Sequence, residues 1–204
     1  MNKSNRELEV KFYLAQPEAF KTRLETLHAK CLRPPTYELN LRFDTPDGKL
    51  TRAKRVLRLR RDTDVRLTYK GPGKSVDGVL AREEIEFSAS DFNQAQAFLE
   101  ALGYQVRMIY EKKRAIYRLE GAEISLDEMP YGYFTEIEVE NPALIKSLSQ
   151  ALHLNWNARI PTSYSHLFTI VKQNLNLTFR DLTFENFSNI RVAAKDLGIT
   201  PADS

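Results

Sequence analysis

Carboxylates and cations recur at every second position through much of this sequence. Glu7, Glu9 and Lys11 alternate with Leu8, Val10 and Phe12; Arg58 and Arg60 with Leu57 and Leu59; Arg66, Thr68 and Lys70 with Val65, Leu67 and Tyr69. Arg82, Glu84 and Glu86 stand against Ile85 and Phe87, and Lys112 and Arg114 against Lys113, Ala115 and Tyr117. Ser125 and Asp127 stand against Ile124 and Leu126, and Glu136, Glu138 and Glu140 against Ile137 and Val139. Successive residues of a β-strand point to opposite faces, so each segment reads as a strand with one charged and one apolar face. Taken singly, any of them is equally a half-buried strand showing its polar side to water. Taken together they resist that explanation. Some faces are runs of carboxylate and others runs of arginine or lysine, and like charges so placed repel unless a counter-ion or an opposite strand compensates.

Two kinds of chemistry follow. Glutamates are hard oxygen ligands of the sort that hold Mg²⁺ or Mn²⁺. Guanidinium and ammonium groups hold phosphate oxygens. A triphosphate carrying its metal would satisfy both sets at once if the charged faces line one wet tunnel. His28, His153 and His166 are scattered and Cys31 is the single cysteine, so zinc is not expected and no internal disulfide can form.

The elements that must position these residues are strands expected over 6–14, 37–44, 55–61, 64–70, 79–87, 108–119, 123–127 and 135–140. Helices are expected over 17–30, in a segment ending at Leu102 with Gly103 as its stop, and over 142–152 and 164–175. Short connections make the strands mostly antiparallel, in a sheet or barrel with helices outside. The chain has 204 residues, 42% hydrophobic and 28% charged, enough for one large domain or a domain with a tail. A net charge of +3 gives no strong nucleic-acid signal. The opening residues lack the apolar core of a signal peptide and no apolar run reaches membrane-spanning length, so a cytoplasmic location without membrane association is expected.

The same residues carry a family resemblance. Glu7-Leu8-Glu9-Val10-Lys11 matches a Glu-x-Glu-x-Lys opening, followed in order by Phe43-Asp44-Thr45-Pro46, Leu57-Arg58-Leu59-Arg60, Lys70-Gly71-Pro72, Arg82 to Glu86, Glu111-Lys112-Lys113-Arg114, Leu126-Asp127 and Gly132 to Glu138. The chain resembles the CYTH-domain proteins of the triphosphate tunnel metalloenzyme superfamily. The resemblance implies an α+β fold: a closed eight-stranded antiparallel β-barrel with helices packed outside, spanning 1–175, with 176–204 as a C-terminal extension of unassigned role. It implies Glu7, Glu9, Glu136 and Glu138 as metal ligands with Glu84 and Glu86 close by. Lys11, Arg58, Arg60, Lys70, Lys112 and Arg114 would hold the triphosphate, joined by Arg66 and Arg82, while Asp127 orients a basic partner.

One position departs from the pattern. Some hydrolases of this family carry a tyrosine two residues before the Asp-Thr-Pro, paired with the lysine matching Lys70; here that position is Arg42. An arginine stays protonated and cannot act as a base, so Arg42 is expected in the phosphate clamp. Lys70, Arg42 and Asp127 are the expected catalytic group. The expected activity is a Mg²⁺- or Mn²⁺-dependent phosphohydrolase acting on inorganic triphosphate, thiamine triphosphate or a nucleoside triphosphate. A class IV adenylate cyclase and a non-catalytic polyphosphate- or nucleotide-binding module are the alternatives, and a homodimer is compatible with all three.

Overall fold

The computed structural model describes residues 6–76, 79–139 and 142–204, with side chains described for 8–73, 82–139 and 144–204. Its strands are β1 (Arg6–Leu14), β2 (Lys30–Asp44), β3 (Val56–Arg61), β4 (Val65–Lys70), β5 (Lys74–Val76), β6 (Val79–Ala89), β7 (Gln105–Leu119), β8 (Ala122–Met129) and β9 (Gly132–Val139). The helices are α1 (Pro17–Thr26), α2 (Lys49–Arg52), α3 (Phe92–Ala101), α4 (Pro142–Ala151) and α5 (Tyr164–Asn174). All strands join one sheet in the order β1-β9-β8-β7-β2-β3-β4-β6-β5, and every pairing is antiparallel.

The expected closed eight-stranded barrel is corrected on two counts. The sheet has nine strands, because Gly71-Pro72-Gly73 interrupts the line of β4 and its continuation pairs with β6 as the separate strand β5. The roll is also not sealed along its length. β1 meets β6 only where Arg6–Glu9 pair with Leu80–Glu83. Strand twist then carries the two edges apart. Past that point the carbonyls of Lys11 and Tyr13 accept from the backbone N–H groups of Ile160 (2.8 Å) and Ala202 (3.0 Å) instead. Irregular chain, rather than a strand, covers the edge.

The apolar faces point outward, as the alternation requires. Phe12, Ile124 and Ile137 pack with Phe20 and Leu24 of α1 and with Ile145 and Leu148 of α4. A second cluster joins Leu41, Phe43 and Leu59 to Phe92 and Leu99 of α3. Burying each such side chain contributes about 1.5–3 kcal/mol, so two outer cores allow the inner face to stay charged. A third cluster, with Tyr131, Phe134, Phe168, Leu182 and Phe187, lies under α5 and the tail.

The tail beyond α5 is bonded into the fold. Leu182 donates to the Ile109 carbonyl and receives from Glu111 N–H, both at 2.9 Å, and so occupies the β7 edge that β8 leaves. Asp203 accepts from the N–H groups of Ala15 (2.7 Å) and Gln16 (2.8 Å) ahead of α1. β2 begins seven residues earlier than the alternation suggests, since Pro34-Pro35 masks its first half; the ladder there shifts register between Cys31 and Thr36. α1 stops at Thr26 rather than near Lys30. No described helix is long and apolar enough to cross a membrane.

Candidate active site

The inward faces of the strands surround a cavity of about 790 Å³. It is lined by Glu9 and Lys11, Arg42, Arg58 and Arg60, Arg66 and Lys70, Arg82, Glu84 and Glu86, Lys112 and Arg114, and Glu136 and Glu138. Among the described side chains one sequence-derived candidate is not on this wall. Asp127 is fully buried behind it. Glu7 has its backbone in β1 opposite Arg82, but its side chain, like Glu140, lies outside the described residues. Among the described residues twelve lysines and arginines line the cavity against six glutamates, an excess suited to a multiply charged anion.

The strand register builds a basic arc. Arg42 lies opposite Arg58, and Arg60 opposite Arg66. Carboxylates inserted between them offset the repulsion. Glu86 reaches Arg58 (3.6 Å), Arg60 (3.8 Å) and Arg66 (3.1 Å) and accepts from the Thr68 hydroxyl at 2.7 Å. Burial raises the Glu86 pKa, but the Thr68 hydrogen bond and the arginines outweigh it and hold the carboxyl below its ordinary value. Glu38, with no exposed surface, lies 3.6 Å from Lys112 and 3.9 Å from Arg60. Its pKa is also lowered, burial being overcome by Lys112, Arg114 and Arg60. Lys70 contacts Glu84 at 2.6 Å.

Behind the wall, Asp127 receives Nε and Nη2 of Arg114, both at 2.6 Å, Lys112 Nζ at 3.2 Å and the Tyr164 hydroxyl at 2.8 Å. A carboxylate engaged by four donors fixes the orientation of its partners. Arg114 also reaches Glu136 at 2.5 Å, and Lys11 reaches Glu136 at 3.1 Å. Burial opposes the charge on Glu136, yet Lys11, Arg114 and Lys112 hold its pKa well below the usual carboxylate range.

On the other side β1, β9 and β8 set Glu9 opposite Glu138 and Glu138 opposite Glu123. Arg82 stands 3.9 Å from Glu9 at one end of this row. The loop entering α5 and the first turn of that helix complete the wall. The Thr162 carbonyl accepts from Lys11 at 3.3 Å, the Tyr164 ring lies 4.4 Å under the Lys11 ammonium, and the Ser165 hydroxyl accepts from Arg42 at 2.5 Å. Burial lowers the Arg42 pKa without discharging it.

A model of the CYTH domain matches residues 5–157. The chain belongs to the CYTH family. It is 29% identical over 135 residues, 65% of this chain and 75% of the relative, to a protein of Methanocaldococcus jannaschii named "putative adenylate cyclase". The structure of a Vibrio parahaemolyticus protein of the same printed name superposes with a TM-score of 0.71 at 24% identity, covering 80% of this chain and 97% of that one, a likeness of fold. A "putative adenylyl cyclase" of Hippeastrum, described as having a dominant triphosphatase activity, superposes with a TM-score of 0.59 at 25% identity over 71% of this chain and 84% of that one.

This CYTH cavity includes residues that the sequence pattern did not single out. Glu123 shares the parity of Ser125 and Asp127, and Tyr110 that of Lys112; Glu38, buried beside Lys112 and Arg60 rather than on the wall, shares that of Asn40 and Arg42, and alternation applied to every position of the expected strands finds all three. Tyr164 and Ser165 sit at the start of a helix and gave no periodic signal. The donor set is oxygen-rich and lacks cysteine and histidine on the wall, which fits a hard divalent cation. Among the described residues no three His, Cys, Asp or Glu side chains converge closely enough to hold a metal ion as they stand. Several of these carboxylates are turned onto lysine and arginine, and Glu9, Glu138 and Glu123 are in a row without converging.

Proposed function

We propose that this chain is a divalent-metal-dependent triphosphatase that binds a triphosphate-bearing small molecule in the cavity. The observation that carries this reading is the division of one wall into a basic arc on β2, β3, β4 and β7 and a carboxylate row on β1, β9 and β8. Arg58, Arg60, Arg66, Lys70, Lys112 and Arg114 would take the phosphate oxygens, with Lys11 and Arg82 at the boundary of the two regions. Arg42, anchored on Ser165, extends the clamp. Asp127 acts as a positioning residue for Arg114 and Lys112.

Glu7, Glu9, Glu136 and Glu138, with Glu84 and Glu86 near, would hold Mg²⁺ or Mn²⁺, which when bound offsets phosphate charge and favours displacement at phosphorus. The protein's own contribution is positional. Guanidinium groups already fixed by Glu38, Glu86 and Asp127 meet the phosphates without the cost of reordering. The dominant triphosphatase activity printed for the Hippeastrum relative supports hydrolysis. The printed name of the Methanocaldococcus jannaschii relative supports the second reading, cyclisation of ATP to cyclic AMP and pyrophosphate.

The test is a product assay with Mg²⁺ or Mn²⁺ on inorganic triphosphate, thiamine triphosphate, ATP and GTP. Release of inorganic phosphate supports the triphosphatase. Cyclic nucleotide with pyrophosphate supports the cyclase, and tight binding without turnover contradicts both.

A further inference from the structure

Tyr110 occupies a place in the cavity that the clamp does not account for. It lies on β7 between Met108 and Lys112, with its side chain on the cavity wall. Its hydroxyl oxygen accepts from Arg58 Nη1 at 3.4 Å. Among the described residues no group accepts the phenol proton. A structural tyrosine buried in a polar site ordinarily spends its proton on an acceptor, as Tyr164 does on Asp127 and Tyr131 on the Tyr164 carbonyl. Tyr110 does not.

Its surroundings are mostly cationic. Arg58 faces it from β3, Arg42 from β2, and Lys112 from its own strand; Glu38 of β2 is the nearby carboxylate, and the phenol of Tyr131 lies further back. The tail contributes Leu182, whose backbone bridges to Tyr110. Burial raises the phenol pKa, but Arg58 and Lys112 outweigh it and bring it below the ordinary tyrosine value. Tyr131 and Tyr164 instead have theirs raised well above it, by burial and by Asp127. Of these three inner tyrosines, Tyr110 is the one whose environment favours the phenolate.

We propose that Tyr110 is the proton acceptor of the hydrolytic step, a catalytic residue that activates water against the terminal phosphate. The inference rests on the triphosphatase reading and deepens it. The phenolate oxygen takes one proton from a water molecule, and the freed electron pair of that water forms the new bond to the terminal phosphorus. The bridging P–O bond breaks and its electron pair leaves on the diphosphate, beside the guanidinium of Arg58. Inorganic phosphate departs with the transferred oxygen, and the phenol returns its proton to solvent. Arg58 therefore serves twice, neutralising the phosphate chain and stabilising the base.

The test is Tyr110→Phe assayed with inorganic triphosphate and Mg²⁺ across pH, alongside wild type. General-base catalysis is worth roughly a hundredfold or more. The expected result is a fall in kcat of about that size, with KM and calorimetric triphosphate affinity within about twofold. In wild type, kcat should rise with pH and level off below the ordinary tyrosine pKa; that limb should vanish in Tyr110→Phe. Equal kcat and an unchanged limb in the variant overturn the assignment of Tyr110 alone. If the variant does not fold, the wild-type profile still decides: a rate that falls as pH rises through this range makes the phenol a donor and overturns the proposal. Wild-type protein that releases no phosphate from any triphosphate overturns the triphosphatase reading and this inference with it.

Discussion

The basic arc and the carboxylate row share one construction and differ in how their charge is balanced. In both, neighbouring strands place like charges opposite each other: Arg42 with Arg58 and Arg60 with Arg66 on one side, Glu9 with Glu138 and Glu138 with Glu123 on the other. The basic arc carries its own counter-charges, Glu38, Glu86 and Asp127, each engaged by two or more cations. It is assembled before any ligand arrives. In the carboxylate row the contacts of Glu9 and Glu123 are looser, Arg82 standing 3.9 Å from Glu9 and Arg118 3.7 Å from Glu123, both too long for a hydrogen bond. One half of the wall is thus held by short ion pairs, as the proposed phosphate clamp requires, and the other is the proposed place of the cation.

The largest way to break this arrangement is to remove the arginine that ties the two halves together. Arg114→Ala leaves Asp127 and Glu136 buried with fewer partners, and breaking such a network costs about 3–5 kcal/mol. Chemical denaturation should show a loss of that size, whereas the same substitution at Arg118, an exposed pair with Glu123, should cost under about 1 kcal/mol.

A smaller effect is expected on binding. Arg58→Ala should weaken inorganic triphosphate by about 1.5–3 kcal/mol, roughly ten- to a hundredfold, and monophosphate much less. Equal losses for the two ligands, measured by calorimetry at matched ionic strength, would mean that the arc does not read the length of the phosphate chain.

Asp44 sharpens the comparison from outside the cavity. Burial opposes its charge, but the Thr51 hydroxyl and the N–H groups of Leu50, Thr51 and Thr45 hold its pKa down to about 2. A depressed folded-state pKa stabilises the fold above the unfolded value near 4 and is lost as pH falls toward about 2. Asp44→Asn should therefore cost on the order of 2 kcal/mol at neutral pH and flatten the acid limb of stability, with triphosphate affinity unchanged. A change in affinity would move Asp44 from the scaffold into the site.

Much of this wall was legible because alternation is a strong signal. Once Leu8, Val10 and Phe12 are assigned outward, Glu9 and Lys11 must face in, and the same holds for Arg58, Lys112 and Glu138. Alternation says nothing about where a sheet's edges end up. The incomplete seam between β1 and β6 depends on twist, and its cover comes from Ile160 and Ala202, far along the chain with no periodic pattern. Tyr164 and Ser165 escaped for the same reason, since a loop that enters the cavity from a helix start carries no parity. Asp127 was legible as inward but not as buried behind the wall, because period two gives the face and not the depth.

The measurement that tests the central claim most directly is the affinity for inorganic triphosphate with and without Mg²⁺, in wild type and in Glu9→Gln with Glu138→Gln. If the row holds the cation, Mg²⁺ should tighten wild-type binding about tenfold or more and leave the double variant nearly unchanged. The same gain from Mg²⁺ in both proteins would contradict the account, because the cation would then be bound without the carboxylates that this wall sets aside for it.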